Sequence, residues 1–336
     1  MGGCYDSRRY SACSTPQYQL DMNSSLLRFF EAHQVPDLVT AYKSFFDNSS
    51  QSGRNSKGGF IKVLLDYRKC AEAPKEFSDL EYEVKFSILP VPPQGKESKE
   101  PSVAEYLAAL EFPAVQSARF LKDPVDAIAE GNNHFLGQEG NERLVIIEKG
   151  GKTYLKEKSQ PLPLKTGVPY ESIVMKRTEK RYAASIEDIL RKVAGSHERG
   201  SVYQGYVRKE KGDAFTLDTN DGRIYSMSLT RAHLDGDGAV QRQLELEYAG
   251  YVPGFAGFEK DSEVQIVSGM VDLAKHVAFL SNNAPVARGW RMELSLTNER
   301  KYDFVKNKGK PREVKPGQAL VPFAPKEFRG KVSNGK

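Results

Sequence analysis

From Glu81 to Phe86 the chain reads Glu-Tyr-Glu-Val-Lys-Phe, charged and apolar by turns. A period of two is that of a β-strand. It puts Glu81, Glu83 and Lys85 on one face and Tyr82, Val84 and Phe86 on the other. Carboxylates on successive positions of one face repel each other, and burying them is costly unless a cation compensates. A divalent metal does so, because Mg2+ and Mn2+ prefer carboxylate oxygens. Lys85 adds a point charge suited to phosphate.

The same alternation recurs downstream. Gln241, Gln243, Glu245 and Glu247 alternate with Arg242, Leu244, Leu246 and Tyr248. Arg177, Glu179 and Arg181 share a face, as do Tyr154, Lys156 and Lys158, and Arg143 has the parity of Val145 and Ile147. Two placements are open. The charged faces can line an open sheet toward water, or the sheet can close into a barrel with charge inside and helices over its apolar outside. Helical patterns at 26–46, 103–110, 185–194 and 261–281 need surfaces to pack on, which suits the barrel. A lumen of Lys, Arg and clustered Glu repels itself when empty and makes sense for a polyanion with metal. The expected fold class is therefore α+β: a closed antiparallel β-barrel, a tunnel, with helices packed on its outside.

Other features bound the reading. The 336 residues, 39% hydrophobic and 28% charged, suit a globular chain, and a net charge of +5 permits an anionic ligand without indicating nucleic acid. No run has transmembrane length and no secretory segment follows the start. Cys4, Cys13 and Cys70 lack metal or disulfide spacing, which predicts a reducing, cytoplasmic setting. Met1-Gly2-Gly3-Cys4 resembles an acylation signal, but Asp6 stands where Ser or Thr is wanted. The expected organisation is a disordered 1–22, a small helical extension 23–76, the tunnel at 77–260, and a C-terminal helix and basic tail at 261–336. Within it, strands are predicted at 61–67, 80–90, 173–183, 202–209, 214–218, 224–232 and 241–248, and somewhere within 290–306. A hairpin of 143–149 and 152–158 turns at Gly150-Gly151, and Ser185 caps a helix to about 194. Asp235-Gly236-Asp237-Gly238 lacks EF-hand spacing and reads as a turn.

Over about residues 80–250 the chain resembles the CYTH, or triphosphate tunnel metalloenzyme, family. The resemblance rests on Glu81-x-Glu83-x-Lys85, the late Glu245-x-Glu247 strand, Tyr154-Leu155-Lys156-Glu157-Lys158, Arg177-Thr178-Glu179, and the strand ending in Thr230-Arg231. It departs from the family in three places. His134-Phe135-Leu136 replaces an Asp-bearing aromatic strand, Val145-x-Ile147 replaces Arg-x-Arg, and Thr230 stands where Asp is common. The resemblance implies a tunnel that hydrolyses inorganic triphosphate or an organic triphosphate. Glu81, Glu83, Glu245 and Glu247 would hold Mg2+ or Mn2+ and serve catalysis, and Lys85, Arg143, Lys156, Lys158, Arg177, Arg181 and Arg231 would grip phosphate. Arg208 and Lys209 are further candidates of unsettled parity. The implied partner is a triphosphate-bearing small molecule or polyphosphate. No nucleic-acid partner is expected, although an RNA 5′-triphosphate stays open as a substrate. The alternatives are a nucleotidyl (adenylate) cyclase of the same family and a non-catalytic polyanion-binding protein.

Overall fold

The computed structural model describes residues 59–62, 64–65, 80–94, 98–110, 119–125, 128–137, 143–198, 200–234, 238–252, 262–283 and 286–307. The expected disordered start, the helices at 26–46, the acylation signal, the Asp235–Asp237 turn and the basic tail beyond 307 lie outside the described residues.

Ten strands are described: β1 (Leu80–Val91), β2 (Phe120–Lys122), β3 (Ala129–Gly137), β4 (Arg143–Lys149), β5 (Lys152–Lys158), β6 (Met175–Ala183), β7 (Val202–Asp218), β8 (Arg223–Leu234), β9 (Val240–Tyr251) and β10 (Arg291–Leu296). With them come helical residues at 60–62 and 64–65 and the α-helices α1 (Val103–Ala109), α2 (Ile186–Glu198), α3 (Glu263–Asn283) and α4 (Lys301–Lys306). Eight strands run in the order β1-β6-β5-β4-β3-β7-β8-β9, all antiparallel, and β9 returns to β1. The barrel is closed, as the alternation predicts. The closing register pairs Glu83 with Glu247 and Lys85 with Glu245. Beyond the barrel proper, β10 pairs with Phe86–Val91 of β1, and β2 pairs with the end of β7.

Local chemistry explains the elements. Gly150 and Gly151 both have positive φ (57° and 70°), the conformation a two-residue hairpin turn requires and glycine adopts without strain. Ser102 and Glu105 form a reciprocal capping box at the start of α1, with Glu105 accepting from the Ser102 amide at 2.7 Å. Ser185 and Asp188 do the same for α2.

The main hydrophobic core lies outside the barrel. Tyr82, Val84 and Phe86 point outward and pack with Met227, Leu229, Leu244 and Leu246 beneath α3 and α1. α3 contributes Ile266, Val267, Met270, Leu273, Ala274 and Val277 to this layer, and Trp290, Met292 and Leu294 extend it along β10. A smaller cluster puts Ile189 and Val193 of α2 over Leu136, Leu144 and Leu155. None of the helices in the described residues is long and apolar enough to cross a membrane.

Two expectations are corrected, and further elements are added. Where a strand is predicted at 61–67, residues 60–62 and 64–65 are helical. The Asp123 carboxylate accepts from the amides of Ile61 (3.1 Å) and Lys62 (2.9 Å), capping the first turn, and Phe60, Ile61, Leu64 and Leu65 bury one helical face. The strands predicted at 202–209 and 214–218 are one, β7, because Lys209-Glu210-Lys211-Gly212-Asp213 continues the ladder against β8 without a turn. β3 is missing from the prediction. Its Gly131-Asn132-Asn133 stretch is poor in strand formers and is held by neighbours on both sides. The strand expected within 290–306 is β10, and α4 follows it.

The packing of α3 is close enough to test. A Cβ built on Gly269 would lie 2.1 Å from the Tyr225 hydroxyl oxygen, and Tyr225 is fully buried. Alanine gains at most about 1 kcal/mol of helix propensity over glycine, while overpacking a buried contact costs about 1–3 kcal/mol. Gly269→Ala is therefore expected to lower the urea midpoint, and a raised midpoint would show that the α3 contact with β8 is loose.

Candidate active site

The barrel encloses a cavity of about 260 Å³. Ten basic side chains line it, against five acidic ones. Alternation on each strand supplies them: Lys85 from β1, Lys156 and Lys158 from β5, Arg177, Glu179 and Arg181 from β6, Lys209, Lys211 and Asp213 from β7, and Glu245 and Glu247 from β9. Lys209 thus faces inward, while Arg208, the next residue back, is exposed.

Glu81 and Glu83 join this lumen through Arg177. The guanidinium donates Nε–H to Glu81, and its Nη2 donates to Glu83 Oε2 at 2.8 Å. Lys85 Nζ lies 3.1 Å from Glu83, and Lys158 Nζ lies 3.6 Å from Glu81 and 2.6 Å from Glu179. Lys156 also pairs with Glu179. One carboxylate oxygen from each of Glu81, Glu83 and Glu247 falls within 4.8 Å of the other two. Closure of the barrel makes this group, because Glu83 and Glu247 are opposite each other across the β1–β9 seam. Three hard oxygen donors gathered in this way are of the kind that holds a hard divalent cation, with Arg177 the competing cation.

The titration behaviour is uneven. Burial pushes the Glu81 carboxyl up, but Lys158, Arg177 and Lys156 outweigh it and hold the group well below the ordinary range. Glu247 goes the other way: burial and the neighbouring charges of Glu81, Glu83 and Glu245 push it up to about 7, against the pull of Lys211. Among the cations, burial and the charge of Lys301 drive Lys209 well below its usual value. Burial also lowers Lys301, helped by Lys85 and opposed by Glu245.

The structure therefore brings together Glu81, Glu83, Lys85, Lys156, Lys158, Arg177, Arg181, Glu245 and Glu247. Glu245 is not in the three-carboxylate group; Lys301 donates to it and to Gln243 at 3.1 Å. The side chain of Arg143 lies outside the described residues. Arg231, expected in the lumen, is on the outer wall, bonded to Glu100 (3.0 Å) and to the Pro101 carbonyl (2.8 Å). It shares the parity of Met227 and Leu229, which belong to the outer core; Ser228 and Thr230 have the inward parity.

Lys209, a candidate whose parity the sequence leaves open, faces the lumen, and Lys211, Asp213 and Lys301 line it beyond the sequence prediction, as do Glu130, Lys149 and Arg300. Treating β7 as one strand would have found Lys209, Lys211 and Asp213. Lys301 has no strand parity to betray it, since it comes from α4. That helix fills the barrel end where β3 finishes: Tyr302, Phe304 and Val305 pack on Phe135, Val145 and Val207, and the Tyr302 hydroxyl donates to the Gly137 carbonyl.

No family model matches the chain, and no curated protein matches it in sequence. Solved structures do. The PH1012 protein from Pyrococcus horikoshii OT3 is 16% identical over 59% of this chain and 89% of its own, with a TM-score of 0.33. A conserved hypothetical protein from Pyrococcus furiosus is 14% identical, over 59% of this chain and 90% of its own, also at 0.33. The S. pombe Pct1 RNA triphosphatase is 12% identical, over 66% of this chain and 91% of its own, at 0.30. Likenesses this distant leave the function to be argued from the site's own residues.

Glu247 offers a direct check on the crowding. Its folded-state value is raised above the unfolded one, so the native state holds this proton more tightly. Stability contributed by the protonated form is then lost as pH rises from about 4.5 through about 7. In excess chelator, Glu247→Gln should escape that loss and gain stability relative to wild type between pH 5 and pH 8. Urea unfolding curves that move in parallel for the two proteins would contradict the crowded-carboxylate picture.

Proposed function

We propose that this chain is a metal-dependent hydrolase of a triphosphate-bearing substrate, a member of the CYTH kind that its strand motifs resemble. One observation carries the reading: a single lumen combines ten basic side chains with a group of three carboxylates whose oxygens lie within 4.8 Å. Phosphoryl transfer asks a protein mainly for positioning and charge neutralisation, and these residues offer both.

Glu81, Glu83 and Glu247 would hold Mg2+ or Mn2+. When bound, such an ion polarises phosphate oxygens and lowers the pKa of coordinated water. Lys156, Lys158, Arg177, Lys209 and Lys211 grip the phosphate chain from three strands, with Lys85 beside Glu83 and Arg181 farther out on β6. Lys301 fixes Glu245, which orients the attacking water. The water oxygen adds to the terminal phosphorus, the bond from that phosphorus to the bridging oxygen breaks, and the proton the water gives up passes to the departing oxygen, while the lysines neutralise the remaining charge of the leaving phosphate chain. Orthophosphate departs with the water oxygen.

A second reading is favoured by Arg177, which already spans Glu81 and Glu83 and compensates them without a metal. In that reading the lumen binds a polyanion and does no chemistry.

Phosphate release from inorganic triphosphate separates the two. The hydrolase reading expects release with Mg2+ or Mn2+ and none in excess chelator. Glu83→Gln and Lys158→Ala should each lower kcat/KM by about tenfold or more, or about 1.4 kcal/mol of transition-state stabilisation. Tight binding of triphosphate with no release under any metal would favour the binder, and full turnover in chelator would end the metal mechanism.

A further inference from the structure

One row of the barrel's outer wall crosses four strands. Glu157 on β5 is paired with Leu144 on β4, Leu144 with Leu136 on β3, and Leu136 with Tyr203 on β7. α2 lies over the first three. Its Ile189 and Val193 pack on the cluster of Leu136, Leu144 and Leu155, and Lys192 Nζ lies 2.6 Å from Glu157. Lys192 precedes Val193 by one residue, whereas Leu190 and Ala194 each follow a packed residue by one. One residue turns a helix by about 100°. Lys192 therefore stands on the β5 flank of α2, and Leu190 and Ala194 stand on the opposite flank, toward β3, β7 and Tyr203.

That flank is apolar and open. Leu190 is 63% exposed and Tyr203 48%, and Ala194 between them is exposed as well. The Tyr203 ring is held in place: it stacks on His134 at 6.3 Å and 28°, with its hydroxyl 3.2 Å from His134 Nδ1. Exposed apolar side chains that adjoin one another, rather than lie scattered, mark a contact surface. The described chain ends beside this strip. At the same end of the barrel α4 donates from the Tyr302 hydroxyl to the Gly137 carbonyl at 3.2 Å, next along β3 from Leu136. Val305 packs on Gly205, where an added Cβ would lie 3.0 Å from Val305 Cγ1. Gly205 is two residues from Tyr203 along β7, about 7 Å, and the described residues end at Asn307, just beyond Val305.

We propose that this strip is the docking site of the chain's own segment Ala319–Phe323. Residues 308–336 are rich in Lys, Gly and Pro, and their longest apolar run is Ala319-Leu320-Val321-Pro322-Phe323-Ala324-Pro325. The run begins twelve residues after Asn307. A tether of that length spans up to about 40 Å when extended, more than the few residues' width that separates the end of α4 from Tyr203. A segment tethered so closely is present at about millimolar effective concentration, so a small apolar contact holds it where a separate partner would need a larger surface. Leu320 and Phe323 cover Leu190, Ala194 and the open edge of Tyr203. Lys315 and Lys326 flank the run, and they meet Glu198 and the negative end of the α2 dipole. Docked there, the segment holds the end of α4, the helix that carries Lys301 to Glu245. The inference stands apart from the triphosphatase reading, since Leu190, Ala194 and Tyr203 do not line the lumen.

Full-length variants test the contact. Leu320→Ser combined with Phe323→Ser should vacate the strip. A fluorescein-labelled peptide of residues 316–325 should then bind that variant at least about tenfold more tightly than wild type, whose own tethered segment competes. Adding Leu190→Glu, or separately Tyr203→Ser, should abolish the peptide's binding; both positions are exposed, so these variants should fold. Chymotrypsin should cut after Phe323 at least about tenfold more slowly in wild type than in Leu190→Glu, because cleavage follows the population of the undocked segment. Equal peptide affinity for wild type and the vacated variant, or peptide binding that survives both Leu190→Glu and Tyr203→Ser, would overturn the docking. Protection from chymotrypsin that fades on dilution would overturn it too, since a second copy would then be supplying the segment.

Discussion

Charge shut inside a closed barrel is the constraint on which this structure depends. Side chains in the lumen have mostly one another for solvation, and ions removed from bulk water must be paired or relieved. Arg177 bridging Glu81 and Glu83, and Lys156 and Lys158 sharing Glu179, meet that demand in part. The alternation that sends these groups inward sends Tyr82, Val84, Phe86, Leu244 and Leu246 outward. The hydrophobic core must then form outside the barrel, under α3 and α1. Helices and lumen are two consequences of one period-two pattern.

Pairing is incomplete for both signs. Glu247 is pushed up by burial and its carboxylate neighbours, while Lys209 and Lys301 are pushed down by burial and neighbouring cations. A lumen in which only acids were strained would call for a metal alone, and one in which only bases were strained would call for an anion alone. Glu247 on β9, Lys209 on β7 and Lys301 on α4 all face the same cavity, so both kinds of strain meet in one lumen. The β1–β9 seam is where this is concentrated, since the register that closes the barrel sets Glu83 against Glu247 and Lys85 against Glu245.

The sequence was most legible where alternation was cleanest. β1, β9 and the Gly150-Gly151 hairpin lie where the pattern puts them, and with them Lys85, Lys156, Lys158, Glu245 and Glu247 of the lumen. Legibility failed where local chemistry and tertiary context diverge. Gly131-Asn132-Asn133 has little strand propensity and is made strand by β4 and β7. The charged middle of β7 reads as a break because Gly212 and Asp213 are turn formers, yet it is an unbroken wall of the lumen. Motif likeness puts Arg231 in the lumen, but its own neighbours Met227 and Leu229 mark its face as outer. Lys301 reaches Glu245 from a helix that follows the last strand, and no periodicity connects them.

The central claim is that this lumen is built for a polyphosphate together with a divalent cation. Calorimetric titration of inorganic triphosphate, with and without Mn2+ and at low and raised salt, tests it most directly. The account predicts one site per chain, tighter binding with Mn2+, and an affinity that salt weakens less than it would at an exposed basic patch, because a walled site is screened less. Absence of binding, or binding indifferent to Mn2+ and abolished by moderate salt, would contradict it.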